Sequence, residues 1–113
     1  MEILVISDIY GNIEILKELI IKLLGKKNDR IAIIAGDIGI YNLDKEEYLA
    51  KVERIFSLLL NISKYVCYVP GDSDLKDLSS KNPRVINLDI RYSILKNGNI
   101  KIGMLGLGGA PKH

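Results

Sequence analysis

Three aspartates each follow a short apolar run of the chain, and together they could bind a metal ion. Asp8 follows EILVIS, Asp37 follows RIAIIAG, and Asp72 follows YVCYVPG. A single aspartate in such a place is usually only a turn residue. Three carboxylates at neighbouring strand ends would repel one another strongly unless a cation lay between them. Hard divalent ions prefer oxygen ligands, so this spacing indicates a divalent metal site.

Buried strands must position these aspartates. The apolar, β-branched runs at residues 2–7, 30–35 and 65–69 predict three strands. Two amphipathic helical segments lie between them, and Asn12 and Asp44 are suitable N-cap residues for those helices. This alternation predicts an α/β fold led by a βαβαβ parallel sheet. In such a sheet the carboxyl ends of the strands share one edge, where ligands bind.

The pattern changes after the third strand. Residues 85–88, 91–95 and 100–105 predict short strands, and an Asn97-Gly98 dipeptide between the last two predicts a β-hairpin. We interpret residues 1–113 as a single domain. A sheet built by crossovers rarely stops just after a strand, so we expect a truncated domain whose far face is covered by a missing part or a partner.

Composition excludes several classes of protein. The chain is 48% hydrophobic and carries a net charge of +2 with interleaved signs, which gives no electrostatic case for a specific nucleic acid or a membrane as partner. The apolar start is too short to span a bilayer. The single cysteine fits a reducing cytoplasm, so we expect a cytoplasmic protein. Frequent Ile and Lys without Gln hint at a thermophile.

The motifs around the aspartates resemble those of the calcineurin-like metallophosphoesterase superfamily. DIYGN at 8–12 is similar to the first family motif, D-x-H-G-N, and GD at 36–37 matches the second. GDSD at 71–74 resembles the third, G-N-x-D, as the compact bacterial and archaeal phosphodiesterases carry it. GLGG at 106–109 resembles their glycine-rich strand exit. The resemblance covers nearly all of this chain but only the amino-terminal half of a family domain, which is a sandwich of two similar halves.

The resemblance implies a two-metal hydrolase acting on phosphate mono- or diesters. Asp8 would bind one metal, Asp37 would bridge two, and Asp72 would bind the second, with Mn, Fe, Zn or Ni as the ions. In the family these ions activate water and stabilise the attacking and leaving oxygens. Four further residues in or near the motifs are second-tier candidates: Tyr10, Asn12, Tyr41 and Asp74.

Several positions depart from the family pattern. Tyr10 stands where the first motif has a metal-binding His, and a phenol with a pKa near 10 is a poor ligand at neutral pH. Iron-containing relatives use a Tyr in the second motif, and Tyr41 falls one residue late for that role. Asp72 replaces an Asn, Ser73 replaces a His that assists the leaving group, and the one histidine is His113. The complete family site cannot be assembled from this chain alone.

Three interpretations follow. The chain is a phosphoesterase completed by a complementary second-half polypeptide, a missing half or a homodimer. Alternatively, it is a catalytically degenerate relative that acts as a structural or protein-interaction module. A third interpretation is a doubly wound domain like a response regulator, with an acidic cluster for Mg²⁺. That class expects paired acidic residues after the first strand, which Ser7-Asp8 does not supply.

Overall fold

The computed structural model describes residues 1–25, 27–42 and 44–107. The glycine-rich segment from residue 108 and the terminal His113 lie outside the described residues. Within them, two helices and six strands follow one another, with a short 3-10 helix before the second strand. The elements are β1 (Glu2–Ile6), α1 (Ile13–Lys22), β2 (Arg30–Ala35), α2 (Lys45–Leu59), β3 (Tyr65–Val69), β4 (Val85–Asn87), β5 (Arg91–Asn97) and β6 (Ile100–Gly106).

Strands β1 to β4 form one parallel sheet in the order β1-β2-β3-β4, and β5 pairs with β6 as an antiparallel hairpin. The predicted α/β class, the βαβαβ unit and the hairpin are therefore confirmed. The order also contradicts the response-regulator interpretation, because a doubly wound sheet of that class places β1 between β2 and β3. Here each successive strand of the chain is added to the same side of the sheet.

One face of the sheet carries the larger core. Alternate residues of the strands point towards α1 and α2, which contact each other as well. Ala32, Ile34 and Val66 from the sheet are fully buried against Val52 and Phe56 of α2. Both helices lie on this face, so they hold the carboxyl ends of β1 and β2 from one side.

The hairpin covers part of the opposite face, which we call the far face. A second cluster there joins Ile31 of β2, Cys67 of β3 and Leu88, which follows β4, to Leu95 of the hairpin. The base of the hairpin is fixed to the sheet because the Gly106 N–H donates to the Leu88 carbonyl at 3.1 Å. The hairpin does not cover β1, whose Ile3 and Val5 are exposed.

The helix starts match the sequence prediction. The Asn12 side chain accepts from Ile15 N at 3.2 Å, and the Asp44 side chain accepts from Glu47 N at 3.1 Å, as N-caps do. Within the described residues, neither helix has the length and apolar character needed to cross a membrane.

Candidate functional site

The loops after β1 and β2 are joined by backbone hydrogen bonds. Tyr10 N donates to the Asp37 carbonyl and Gly11 N donates to the Ile38 carbonyl, both at 2.9 Å. The parallel register of β1 and β2 brings the two loops to the same edge of the sheet. As a result, Asp8 lies close enough to Asp37 and to Tyr10 to influence both side chains electrostatically. We call Asp8 and Asp37 the carboxylate pair.

The backbone is strained where these loops meet. Asp8, Tyr10 and Asp37 have φ values of 57°, 50° and 55°, in the left-handed region that L-residues rarely occupy. Asp tolerates this conformation better than most residues, whereas a bulky Tyr does not. Such residues persist only where the surroundings hold them, and they concentrate at functional sites. Three of the four non-glycine residues with positive φ in the described part of the chain belong to this one cluster.

Ser73 fixes the orientation of the Asp37 carboxylate. Asp37 Oδ1 accepts from Ser73 N at 3.1 Å and from Ser73 Oγ at 2.9 Å. Asp37 Oδ2 accepts from the Tyr10 hydroxyl at 3.3 Å. Sequence reasoning treated Ser73 only as a substitute for a missing His, and nothing in its position along the chain indicated this role. The structure shows it as a residue that positions Asp37.

These contacts move two pKa values in opposite directions. The backbone N–H of Ser73 stabilises the ionised carboxylate and lowers the pKa of Asp37, with further help from the Ser73 and Tyr10 hydroxyls and against partial desolvation. The negative charge of Asp37, and then that of Asp8, raises the pKa of the Tyr10 phenol. At neutral pH the cluster therefore combines an ionised Asp37 with a protonated Tyr10, which acts as a hydrogen-bond donor.

Asp74, a predicted second-tier site residue, lies inside the protein. Its side chain is fully buried, and its two oxygens accept from Ile38 N, Gly39 N, Gly71 N and the Tyr48 hydroxyl at 2.9 to 3.0 Å. Burial raises the pKa of Tyr48, and the nearby Asp74 adds to that effect, so this phenol stays protonated as a donor. Asp74 joins the β2 and β3 loops to α2 and has no oxygen left for a metal.

The other predicted residues lie outside the carboxylate pair. Asp72 is exposed, and its role as a ligand stays a prediction. Asn12 caps α1, and the Tyr41 ring packs edge-on against Tyr48 at 5.7 Å. Across residues 1–25, 27–42 and 44–107, no three His, Cys, Asp or Glu side chains form a group that could hold a metal ion. The structure thus brings together two of the three predicted carboxylates, with Tyr10 beside them.

Two small clefts flank the pair. A cleft of about 150 Å³ opens beside Asp8 and runs along α1. A second, of about 180 Å³, opens beside Tyr10 and includes Glu47 and Lys51 of α2 on its wall. Both are smaller than the pockets that bind drug-sized ligands, so the edge of the sheet offers room for a small ion or group.

Comparisons with known proteins assign this chain to no family. No family model matches the chain, and no curated protein matches it. A crystal structure of a protein of unknown function from Aquifex aeolicus matches 93% of this chain at 22% identity, with a TM-score of 0.44. This chain spans 60% of the length of that protein. The metallophosphoesterase resemblance stays a prediction.

Proposed function

We propose that this chain contributes a carboxylate pair to the metal centre of a metallophosphoesterase-like hydrolase acting on phosphate mono- or diesters. The observation that carries the proposal is the meeting of Asp8 and Asp37 at adjacent strand ends, both with left-handed backbone. Turn residues alone need no such arrangement, whereas a ligand site gains from two fixed carboxylates. The single unpaired Cys67 supports placing this function in the cytoplasm.

The chemistry of the donors favours hard ions. Both candidate ligands are carboxylates, and the neighbouring hydroxyl of Tyr10 is also an oxygen donor. Carboxylate oxygens suit Mn²⁺, whereas Zn²⁺ and Ni²⁺ are usually held by sites that include imidazole or thiolate. Among the ions that the resemblance implies, we therefore expect Mn²⁺ or Fe²⁺ ahead of Zn²⁺ and Ni²⁺. A bound divalent ion would supply Lewis-acid polarisation of a phosphoryl oxygen.

Two carboxylates do not complete a two-metal site. The chain has one histidine, at position 113, so imidazole ligands must come from another polypeptide or another part of a longer protein. A homodimer would add a second copy of the same donors and only one further histidine. We therefore propose that the active form includes a complementary second half.

Isothermal titration with Mn²⁺ tests the carboxylate pair. We expect binding in the micromolar to millimolar range that Asp37→Asn weakens at least tenfold. Asn is among the residues that best tolerate positive φ, so this variant removes the charge and keeps the backbone. The matched control is Asp77→Asn, which makes the same change at an exposed aspartate that is not a predicted ligand. An absence of Mn²⁺ binding to the wild-type chain, or equal weakening in both variants, would contradict the proposal.

A separate prediction concerns phosphoester hydrolysis by the isolated chain. The isolated chain with Mn²⁺ or Zn²⁺ should not hydrolyse p-nitrophenyl phosphate or its bis ester, because the ligand set is incomplete. Robust turnover that Asp37→Asn abolishes would show that the chain is complete on its own.

A second candidate function is a non-catalytic interaction module. It is favoured by the hydrogen bonds that Tyr10 and Ser73 donate to Asp37, since they stabilise the carboxylate without a cation. In this case the titration gives no binding heat for any divalent ion, and the fold serves as a platform for a partner.

A further inference from the structure

Exposed apolar side chains lie on the uncovered part of the far face and on the outer surface of the hairpin beside it. Two belong to β1, two to β5, and two lie in or just after β6. Their exposed fractions are 53% for Ile3, 63% for Val5, 67% for Tyr92, 54% for Ile94, 69% for Leu105 and 78% for Leu107. We call these six residues the hairpin patch.

Strand pairing and one shared groove link the three strands that carry the hairpin patch. Ile3, Leu105 and Leu107 line one open groove of about 470 Å³ between β1 and β6. Tyr92 is paired with Leu105 across the hairpin, and its ring lies against Gly103, where an added Cβ would be 2.5 Å from the hydroxyl oxygen. Ile94 is paired with Gly103 itself. Gly103 thus leaves room for the Tyr92 ring to lie flat, which keeps the outer surface of the hairpin smooth.

The area of the hairpin patch is that of a protein interface. Taking roughly 200 Å² for a fully exposed large residue with its backbone included, these exposed fractions amount to about 800 Å² of surface per chain. Monomeric proteins rarely expose an apolar patch above about 300–600 Å². A stable interface of ordinary size buries about 800 Å² on each partner.

The hairpin patch also borders an unprotected strand edge. Within the described residues β1 pairs only with β2, so its other edge is open. Soluble proteins usually protect such an edge with Lys, Pro or a bulge, and EILVI has none of these. The edge and the hairpin patch together make this side of the molecule prone to association.

We propose that the hairpin patch is a two-fold interface on which a second copy of this chain docks. About a two-fold axis, the same surface of both copies meets, so the hairpin patch of one copy covers the hairpin patch of the other. The proposal goes beyond the carboxylate pair and does not depend on it. Covering about 800 Å² per copy is consistent with a micromolar or tighter dissociation constant.

The charges around the hairpin patch predict how salt acts. Lys96 and Lys101 are paired across the hairpin near its tip, and both are exposed. Each copy also carries a net charge of +2, so like charges oppose an association that apolar contact drives. Raising the ionic strength screens the repulsion and should strengthen the dimer.

Sedimentation velocity on the full chain from 1 to 200 μM tests the proposal, at low and high NaCl. We expect a dimer that Leu105→Asp weakens at least tenfold. The matched control is Leu24→Asp, which makes the same change at 67% exposure, just after α1 on the helical side, and should leave the dimer unchanged. Tyr92→Ser provides a second, milder disruption, and circular dichroism checks that each variant folds.

Three results would overturn the proposal. The first is a wild-type monomer throughout the concentration range, which would leave a different polypeptide as the occupant of the hairpin patch. The second is a dimer that Leu105→Asp and Tyr92→Ser leave intact. The third is a dimer that Leu24→Asp disrupts to the same extent as Leu105→Asp.

Discussion

Asp74 and Asp37 belong to adjacent loops of the same sheet edge, and their surroundings are opposite. Asp74 is fully buried, and its carboxylate accepts four hydrogen bonds from backbone and phenol donors. Asp37 is only partly buried, has a left-handed backbone, and accepts a hydrogen bond from the Tyr10 hydroxyl on one oxygen. Asp74 therefore links neighbouring loops inside the protein, whereas Asp37 is a candidate ligand.

The difference shows how one aspartate supports the other. Asp74 binds the backbone N–H groups of Ile38 and Gly39, which directly follow Asp37. A strained residue keeps its conformation only when neighbouring contacts determine it. The buried Asp74 carboxylate thus fixes the loop that carries Asp37, and loss of Asp74 should affect the whole site.

Replacing Asp74 gives the largest expected effect. Asp74→Ala leaves the N–H groups of Ile38, Gly39 and Gly71 and the Tyr48 hydroxyl without their acceptor in a buried region. We expect the free energy of unfolding to fall by about 3 kcal/mol or more, because each unpaired buried donor is costly. Urea denaturation followed by circular dichroism measures this change.

The control for that prediction is Asp77→Ala, which removes an exposed carboxylate three residues away. It should change the unfolding free energy by no more than about 0.5 kcal/mol. Similar losses of unfolding free energy in the two variants would show that Asp74 does not hold the loops together. They would also remove the contrast with Asp37.

Close contact between the β2 and β3 loops gives the next largest effect. A Cβ added at Gly71 would lie 2.4 Å from Asp37 N and 2.5 Å from Asp37 Oδ1, so Gly71→Ala must push the two loops apart. We expect a loss of about 2 kcal/mol, typical of overpacking, together with weaker Mn²⁺ binding if the carboxylate pair is a metal site.

Gly98→Ala is the control for the Gly71→Ala prediction. Gly98 has a φ of 61° in the hairpin turn with no atom within 4 Å of an added Cβ, so its replacement adds backbone strain alone. We expect about 1 kcal/mol for that strain and no change in cation binding. A larger effect at Gly98 than at Gly71 would show that the loops can separate at little cost.

Hydrophobic periodicity and turn residues in the sequence were sufficient to predict the first three strands and the two helices between them. The strand at Tyr65–Val69 was predicted at its observed bounds, and both N-caps were identified, because these features depend on local patterns. The proximity of Asp8 to Asp37 followed from the rule that parallel strands end at one edge.

What the sequence could not indicate was the direction of each side chain within its loop. Asp72 and Asp74 are two residues apart in one turn, yet the first is exposed and the second is fully buried. Which of them points inwards depends on the donors that the β2 loop and α2 supply, and these are distant in sequence. The role of Ser73 escaped prediction for the same reason, since its partner Asp37 is 36 residues away.

Ser73→Ala gives the smallest expected effect and tests the link between Ser73 and the charge on Asp37. The lowered pKa of Asp37 means that its hydrogen bonds stabilise the folded state fully above the unfolded pKa, near 4, and that this contribution is lost as the pH falls through the folded pKa. The wild type should therefore exceed Ser73→Ala in stability by up to about 1 kcal/mol at pH 7, an upper limit for a solvent-screened carboxylate. This difference in unfolding free energy should narrow below pH 4, with Ser79→Ala as the exposed control.

The Ser73 hydroxyl also lies 2.7 Å from the Gly39 carbonyl, and one proton cannot serve both acceptors fully. A difference that stays constant with pH would assign the proton to Gly39, and Asp37 would then be held by the backbone N–H of Ser73 alone.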